Sequence, residues 1–249
     1  MAIGRNHVLV LFDLDDTLCD YQHSRDLRLR RAFGEAFARS HAPRPDFGTL
    51  IAESIAIHAH GTEHFAGLLL RHGVTDPDAQ EAARTWYLTN RFLGLRLFPD
   101  ALSTLRTLRA TPGVAAIGLV TNGPAIIQRE KIALLGLDPE VDFCIISGEV
   151  GFEKPDPRIF AAALERGATN AANTVYVGDS VPFDMIGART AGLHTIWKNP
   201  TGTPWPDQSA PPDAIIPDCR SVIPIILGML GTNDPRSGVN SERETGSAC

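Results

Sequence analysis

Five apolar residues, Val8–Phe12, run straight into Asp13, Asp15, Asp16 and Asp20 in the stretch VLVLFDLDDTLCD. Carboxylates this close repel one another, which raises their pKa unless a cation sits among them. The stretch is therefore either a solvated acidic turn or a place where Asp13 and Asp15 hold a metal ion and do chemistry. Further polar groups follow apolar runs in the same way: Thr121, Asn122 and Gly123 in TNG, Lys154 in GEVGFEKPDP, and Asp179 and Asp184 in GDSVPFD. Taken singly, each reads as a turn or a helix cap. Brought to one edge they make a phosphate site, in which a carboxylate attacks phosphorus and a dication neutralises the crowded acids and the substrate oxygens. A hydroxyl, main-chain N–H groups and a lysine would collect the equatorial charge of the transition state. Hard oxygen donors of this kind suit Mg²⁺.

A parallel sheet can bring them to one edge, because ligands bind beyond the carboxyl ends of its strands. VLVLF (8–12), AAIGLV (115–120), FCIIS (143–147), TVYVG (174–178) and LHTIW (193–197) are short continuous apolar runs, the pattern of strands covered on both faces. Helix-like segments at 124–135, 157–166 and 182–191 separate the later runs, with prolines near their starts and Gly136 and Gly167 at two of their ends. The alternation predicts an α/β fold, a Rossmann-like doubly wound parallel sheet with right-handed crossovers.

The stretch 21–95 breaks that rhythm. It reads as helices alone, in SRDLRLRRAFGEAFARS and around 47–58, 63–71 and 78–92, with Ser24 and Thr62 as candidate caps. Leu29, Ala32, Phe33, Ala36 and Phe37 share one helix face. So long a stretch exceeds any ordinary strand–helix connection and predicts an α-helical cap inserted after the first strand. The expected division is a core of 1–19 and 96–231, a cap of 20–95 and a disordered tail of 232–249, which is polar and aperiodic. Before the tail, the proline-rich NPTGTPWPDQSAPPD leads to a short strand at 214–216 and a helix at 221–230.

With 249 residues and 43% hydrophobic content, the chain has ample material for a core. A net charge of −6 argues against a nucleic-acid polymer or an anionic membrane surface as partner. Cys19, Cys144, Cys219 and Cys249 show no CxxC spacing and the start is not signal-like, so free thiols in a cytoplasmic protein are expected. No apolar run approaches the ~18 residues of a membrane span.

Together the motifs resemble the haloacid dehalogenase superfamily, whose members are mostly phosphatases. Asp13, Asp15 and Thr17 match its first motif, Asp-x-Asp-x-Thr; Thr121 matches the second, Lys154 the third, and Asp179 and Asp184 the acidic fourth. The segments TNGPAIIQREKI and ISGEVGFEKPDPRIF are similar to the branch holding pyrimidine 5′-nucleotidases and N-acylneuraminate-9-phosphatases. The resemblance implies Asp13 as nucleophile, forming an aspartyl-phosphate, and Asp15 as acid and then base. It implies that Thr121 and the amides of Leu14, Asp15 and Asn122 grip the phosphoryl oxygens, while Lys154 orients Asp13. It further implies Mg²⁺ on Asp13, the Asp15 carbonyl and Asp179, with Asp184 supporting the metal waters or Lys154. The substrate would be a small phosphate ester, a nucleotide monophosphate or a sugar phosphate, and the protein a monomer or homodimer.

Three alternatives stay open. Dehalogenation of 2-haloacids uses the same nucleophile without a metal, but the dehalogenases carry an aromatic residue where Asp15 stands. A phosphomutase shares the catalytic residues, and a non-catalytic binding role would not require every catalytic position to be filled. Tyr21, His23, Arg25 and Arg28 lie near the cap entry and can reach a polar or anionic substrate, although arginines on an amphipathic helix mostly form its solvated face. His58, His60 and His64 in HAHGTEH lack the further ligands of a zinc site. Cys19, beside the first motif, is either a reactive thiol or a buried structural one.

Overall fold

The structure, a computed structural model, describes residues 7–57, 61–206 and 210–231. His58, His60, the middle of the proline-rich loop, Cys249 and the expected tail lie outside the described residues. The strands are β1 (Val8–Phe12), β2 (Val114–Thr121), β3 (Phe143–Ile146), β4 (Thr174–Gly178), β5 (His194–Lys198) and β6 (Ala214–Ile216). They form one parallel sheet in the order β3-β2-β1-β4-β5-β6. The chain winds outward from β1 on one side, then returns to β4 and winds outward on the other. That reversal opens a crevice at the carboxyl ends of β1 and β4. Phe12 pairs with both Leu119 and Val177, and the Asp13 amide donates to the Val177 carbonyl at 2.9 Å, so the strand ends stand level.

β1 is buried throughout because its alternate residues feed two layers. Val8, Val10 and Phe12 pack with α5 (Ala101–Arg109), α6 (Ala125–Leu134) and α10 (Val222–Met229), through Leu105, Leu108, Ile132, Val222 and Ile226. Leu9 and Leu11 pack on the other face with Ile159 and Phe160 of α8 (Pro157–Arg166) and Ala188 of α9 (Ile186–Thr190). A run that looked uniformly apolar is thus two half-cores read alternately.

Between β1 and α5 stand four helices, α1 (Tyr21–Arg39), α2 (Phe47–Ile57), α3 (Phe65–Arg71) and α4 (Pro77–Thr89). They enclose their own apolar cluster, in which Leu29, Ala32, Phe33, Ala36 and Phe37 of α1 meet Phe65, Leu68, Ala83 and Tyr87. The cap of α1 is Asp20, whose carboxylate accepts the His23 amide at 3.2 Å; Ser24 is buried and its hydroxyl donates to the Leu93 carbonyl at 2.8 Å. The solvated face expected of Arg25 and Arg28 is not where they lie: Arg28 is buried and Arg25 half-buried against Tyr21, while Arg30, Arg31 and Arg39 are exposed.

Two other local differences bear on the site. Ser147, expected to end β3, opens the short helix α7 (Ser147–Val150), and its hydroxyl accepts the Gly123 amide at 2.9 Å. The helix expected at 182–191 begins as a π turn, Val181–Met185. The Asp184 and Met185 amides both reach back to the Ser180 carbonyl, and the Asp184 carboxylate accepts the Ser180 amide at 3.0 Å. Widened turns of this kind are frequent at functional sites.

Candidate active site

Asp13 leaves β1 into a buried site in which all three donors of Lys154 are engaged. The Lys154 ammonium donates to Asp13 at 2.6 Å, to Asp184 at 2.7 Å and to the Tyr176 hydroxyl oxygen at 3.0 Å. Tyr176, projecting from the middle of β4, donates to Asp184 at 2.9 Å. The loop that carries Lys154 is itself clamped by Asn122, whose side chain accepts the Lys154 amide at 2.8 Å and donates to the Lys154 carbonyl at 3.0 Å. Gly178 is required just before Asp179, because a Cβ there would lie 2.5 Å from the Asp184 carboxylate.

Asp15 meets a second lysine. Lys131, on α6, places its ammonium 2.5 and 2.7 Å from the two Asp15 oxygens. The Gln128 amide, one turn earlier, donates to the Thr121 hydroxyl at 2.5 Å and reaches Asp15 at 3.4 Å. Lys131 also lies 4.3 Å from the ring centroid of Tyr21, the first residue of α1, and so bridges the sheet domain and the helical insertion. Among the described residues, the amides of Leu14, Asp15 and Asn122 have no hydrogen-bond acceptor. With the buried Thr121 hydroxyl they make a set of donors between Asp13 and β2.

The electrostatics of the pocket are unbalanced. Carboxylate oxygens of Asp13, Asp179 and Asp184 all lie within 4.8 Å of one another. Burial, followed by repulsion from Asp184 and Asp15, raises Asp13 to about 7 even though Lys154 works the other way. Burial and then the Asp13 charge raise Asp179 to about 8. Burial opposes the charge on Lys154, but Asp13 and Asp184 outweigh it and hold the lysine above its ordinary range. Three carboxylates with one ammonium between them leave a surplus of negative charge, and the donors are hard oxygens, so the residues present fit a dication of the Mg²⁺ type. Asp184 already accepts from Lys154, Tyr176 and Ser180, which leaves Asp13 and Asp179 as the less committed oxygens. The Asp179 carboxylate accepts the Thr17 hydroxyl at 3.3 Å, and its carbonyl accepts the Trp197 indole N–H at 2.7 Å.

The residues singled out in the sequence, Asp13, Leu14, Asp15, Thr121, Asn122, Lys154, Asp179 and Asp184, thus stand at one sheet edge. Lys131, Gln128 and Tyr176 were not foreseen. A tyrosine inside a fully apolar strand was the available signal for the last, since a buried hydroxyl needs a partner. Lys131 offered none in its own neighbourhood, because a helical lysine ordinarily faces solvent. His64, of the histidine trio, bonds the Ser54 hydroxyl at 2.7 Å.

Comparison with known proteins gives the family. The model of the haloacid dehalogenase-like hydrolases matches residues 8–192. A glyceraldehyde 3-phosphate phosphatase from Methanopyrus kandleri is 33% identical over 75% of this chain and 82% of its own length. The pyrimidine 5′-nucleotidase YjjG of Escherichia coli is 38% identical over 45% of this chain and 49% of its own. Among solved structures, a 2-haloacid dehalogenase from Pseudomonas syringae has a TM-score of 0.61 at 28% identity, covering 90% of this chain and 99% of that one. The chain belongs to the haloacid dehalogenase-like hydrolase family, among its phosphatases.

Proposed function

We propose that the protein is a Mg²⁺-dependent phosphomonoesterase of a small metabolite, working through an aspartyl-phosphate on Asp13. One observation carries the reading: the Asp13 carboxylate is fixed by Lys154 beside three amide donors, Leu14, Asp15 and Asn122, that lack an acceptor among the described residues. Those donors and the Thr121 hydroxyl suit the equatorial oxygens of a phosphoryl group in flight. The Asp13 oxygen attacks phosphorus as the bond to the leaving oxygen breaks, and Asp15 delivers a proton to that oxygen. A water then attacks phosphorus, Asp15 takes its proton, and the Asp13–phosphorus bond breaks to release phosphate. Mg²⁺, held by Asp13, Asp179 and the Asp15 carbonyl with Asp184 in support, would neutralise charge shared by the nucleophile and the phosphoryl oxygens.

Lys131 points donors at both Asp15 oxygens, so Asp15 stands as an acceptor, the state that receives the proton of water. To carry a proton toward a leaving group, it must first give up one of these bonds. The helical insertion acts as the cap over this step, and a lid of this kind admits small esters rather than folded proteins. The inferred setting is the cytoplasm: the three described cysteines are unpaired, and among the described residues no helix is long and apolar enough to cross a membrane.

The test is rapid quenching with a ³²P-labelled ester and Mg²⁺, followed by peptide mapping. Label on Asp13, with turnover lost in EDTA and in Asp13→Asn, is the expected result. Product formation with no label on Asp13 would sink the mechanism, and halide release from 2-chloropropionate in chelator would favour the dehalogenase reading.

A further inference from the structure

The buried face of α1 changes character along its length. From Leu29 onward it is apolar, but in the two turns nearest the site it carries Tyr21, Arg25 and Arg28, spaced i, i+4, i+7. Arg28 is 4% exposed, hardly more than Leu29 at 3%. Its Nε donates to the Ser24 carbonyl at 3.3 Å, while its Nη2 is buried with no hydrogen-bond partner among the described residues. Among the described residues no carboxylate pairs with it. The guanidinium instead lies against aromatic faces, 4.5 Å from the Tyr87 centroid and 5.5 Å from that of Tyr21. Arg25 approaches the same Tyr21 ring at 5.9 Å, and its Nε is likewise buried and unbonded, with Asp26 no nearer than 3.9 Å.

Aromatic faces return only part of what a guanidinium loses on leaving water, and buried charges are ordinarily paired. An oxyanion is the partner that a planar fork of donors accepts best. Its place is defined by the shared ring: Lys131 touches Tyr21 from the core side and bonds Asp15. Arg28 is therefore one aromatic ring away from the group assigned to the leaving oxygen. The transferred phosphoryl group has its own donors around Asp13, so an anion at Arg28 belongs to the rest of the substrate.

We propose that Arg28, flanked by Arg25, receives a second oxyanion, a carboxylate or a second phosphate, carried on the leaving group of a compact phosphate ester. This rests on the phosphatase reading and narrows it to doubly anionic substrates. Neutral sugar or alcohol leaving groups leave the guanidinium unpaired and bind more weakly.

The test compares kcat and KM for matched esters. Glycerate 3-phosphate against glycerol 3-phosphate probes a carboxylate, and glucose 1,6-bisphosphate against glucose 6-phosphate probes a second phosphate. In at least one arm the unsubstituted protein should favour the doubly charged ester by about tenfold or more in kcat/KM, chiefly through KM, as a charge-assisted bond predicts. Arg28→Met should bring that ratio close to one, and Arg28→Lys should restore part of it. Should Arg28→Met fail to fold, Arg25→Gln, away from the apolar cluster, should lower the same ratio several-fold. Hydrolysis without preference in either arm, or a preference that survives Arg28→Met, overturns the subsite and leaves the phosphatase reading standing. No phosphate release from these esters or from p-nitrophenyl phosphate overturns both.

Discussion

Two carboxylate–lysine pairs stand side by side at the sheet edge, and they are built differently. Asp13 and Lys154 have side chains 7% and 4% exposed, and the lysine is shared with Asp184 and Tyr176. Asp15 is 25% exposed against 5% for Lys131, and the lysine rests on Tyr21 of the helical insertion. The first pair is locked from beneath by strands and by the clamped Lys154 loop. The second faces the seam between sheet and helices, and its lysine depends on a ring from the other side. A nucleophile must hold one geometry throughout a cycle, whereas a group that gives and then takes a proton must change partners. The contrast in burial suits the division of labour proposed for Asp13 and Asp15.

The sharpest way to break the contrast is to neutralise each acid in turn. Asp13→Asn should cost about 10⁴-fold or more in kcat, as loss of a nucleophile does. Asp15→Asn should cost on the order of 10²- to 10⁴-fold, the range of general acid–base catalysis, and should leave the Asp13 adduct trappable with an activated ester such as p-nitrophenyl phosphate, which needs little protonation. Equal losses, with no adduct in Asp15→Asn, would show that the two acids act as one unit. Replacing the lysines asks the same of stability. Lys154→Met strands Asp13 and Asp184 in a buried site and should destabilise by about 3–5 kcal/mol. Lys131→Met leaves an acid that water can reach, and should cost about 1.5 kcal/mol. Urea unfolding of both variants checks the ordering.

The two pairs were not equally legible in the sequence. Asp13, Lys154 and Asp184 each follow an apolar run or its turn, so a parallel sheet was enough to bring them together. Lys131 lies 116 positions from Asp15 on a helix that reads as ordinary, and only the packing of α6 beside β2 reveals its partner. Arg28 could be placed near the cap entry from the sequence, but its burial could not, since a helical arginine ordinarily faces water and the rings that cover it come from Tyr87 and Tyr21. Strand centres were legible because alternate residues of β1 serve two apolar layers. Element ends were less so: Ser147 and the π turn at Val181–Met185 are set by contacts with Gly123 and Ser180 that local pattern does not encode.

The acidic pocket also predicts how pH acts on each side. Asp13 and Asp179, raised to about 7 and about 8 chiefly by burial, keep protons in the metal-free fold that the unfolded chain gives up from about pH 4. Their contribution to stability is complete below pH 4 and is lost as pH rises toward 8. In EDTA the unfolding free energy should therefore decline between pH 5 and pH 8, and Asp179→Asn should flatten that decline. Mg²⁺ takes the ionised acids, so its stabilisation should grow over the same window, reaching about 2.7 kcal/mol at a hundred times its Kd. A Mg²⁺ effect that is the same at both ends of the window would place the dication elsewhere.

The smallest effect concerns Cys19, which lies against the less tightly held acid. Its thiol is buried, 3.4 Å from the Leu14 carbonyl and 3.5 Å from Asp15. Burial, and then the Asp15 charge, raise it well above the usual thiol range, so the thiolate that reacts with electrophiles is scarce. Iodoacetamide at pH 8 should leave Cys19 unmodified in the folded protein, as mass mapping would show. Cys19→Ala should cost about 1 kcal/mol of stability and change kcat only slightly, because Lys131 supplies the stronger bonds to Asp15. A fall in kcat as large as that of Lys131→Met would mean that Asp15 depends on every neighbour at once, as Asp13 does, and the difference between the two pockets would vanish.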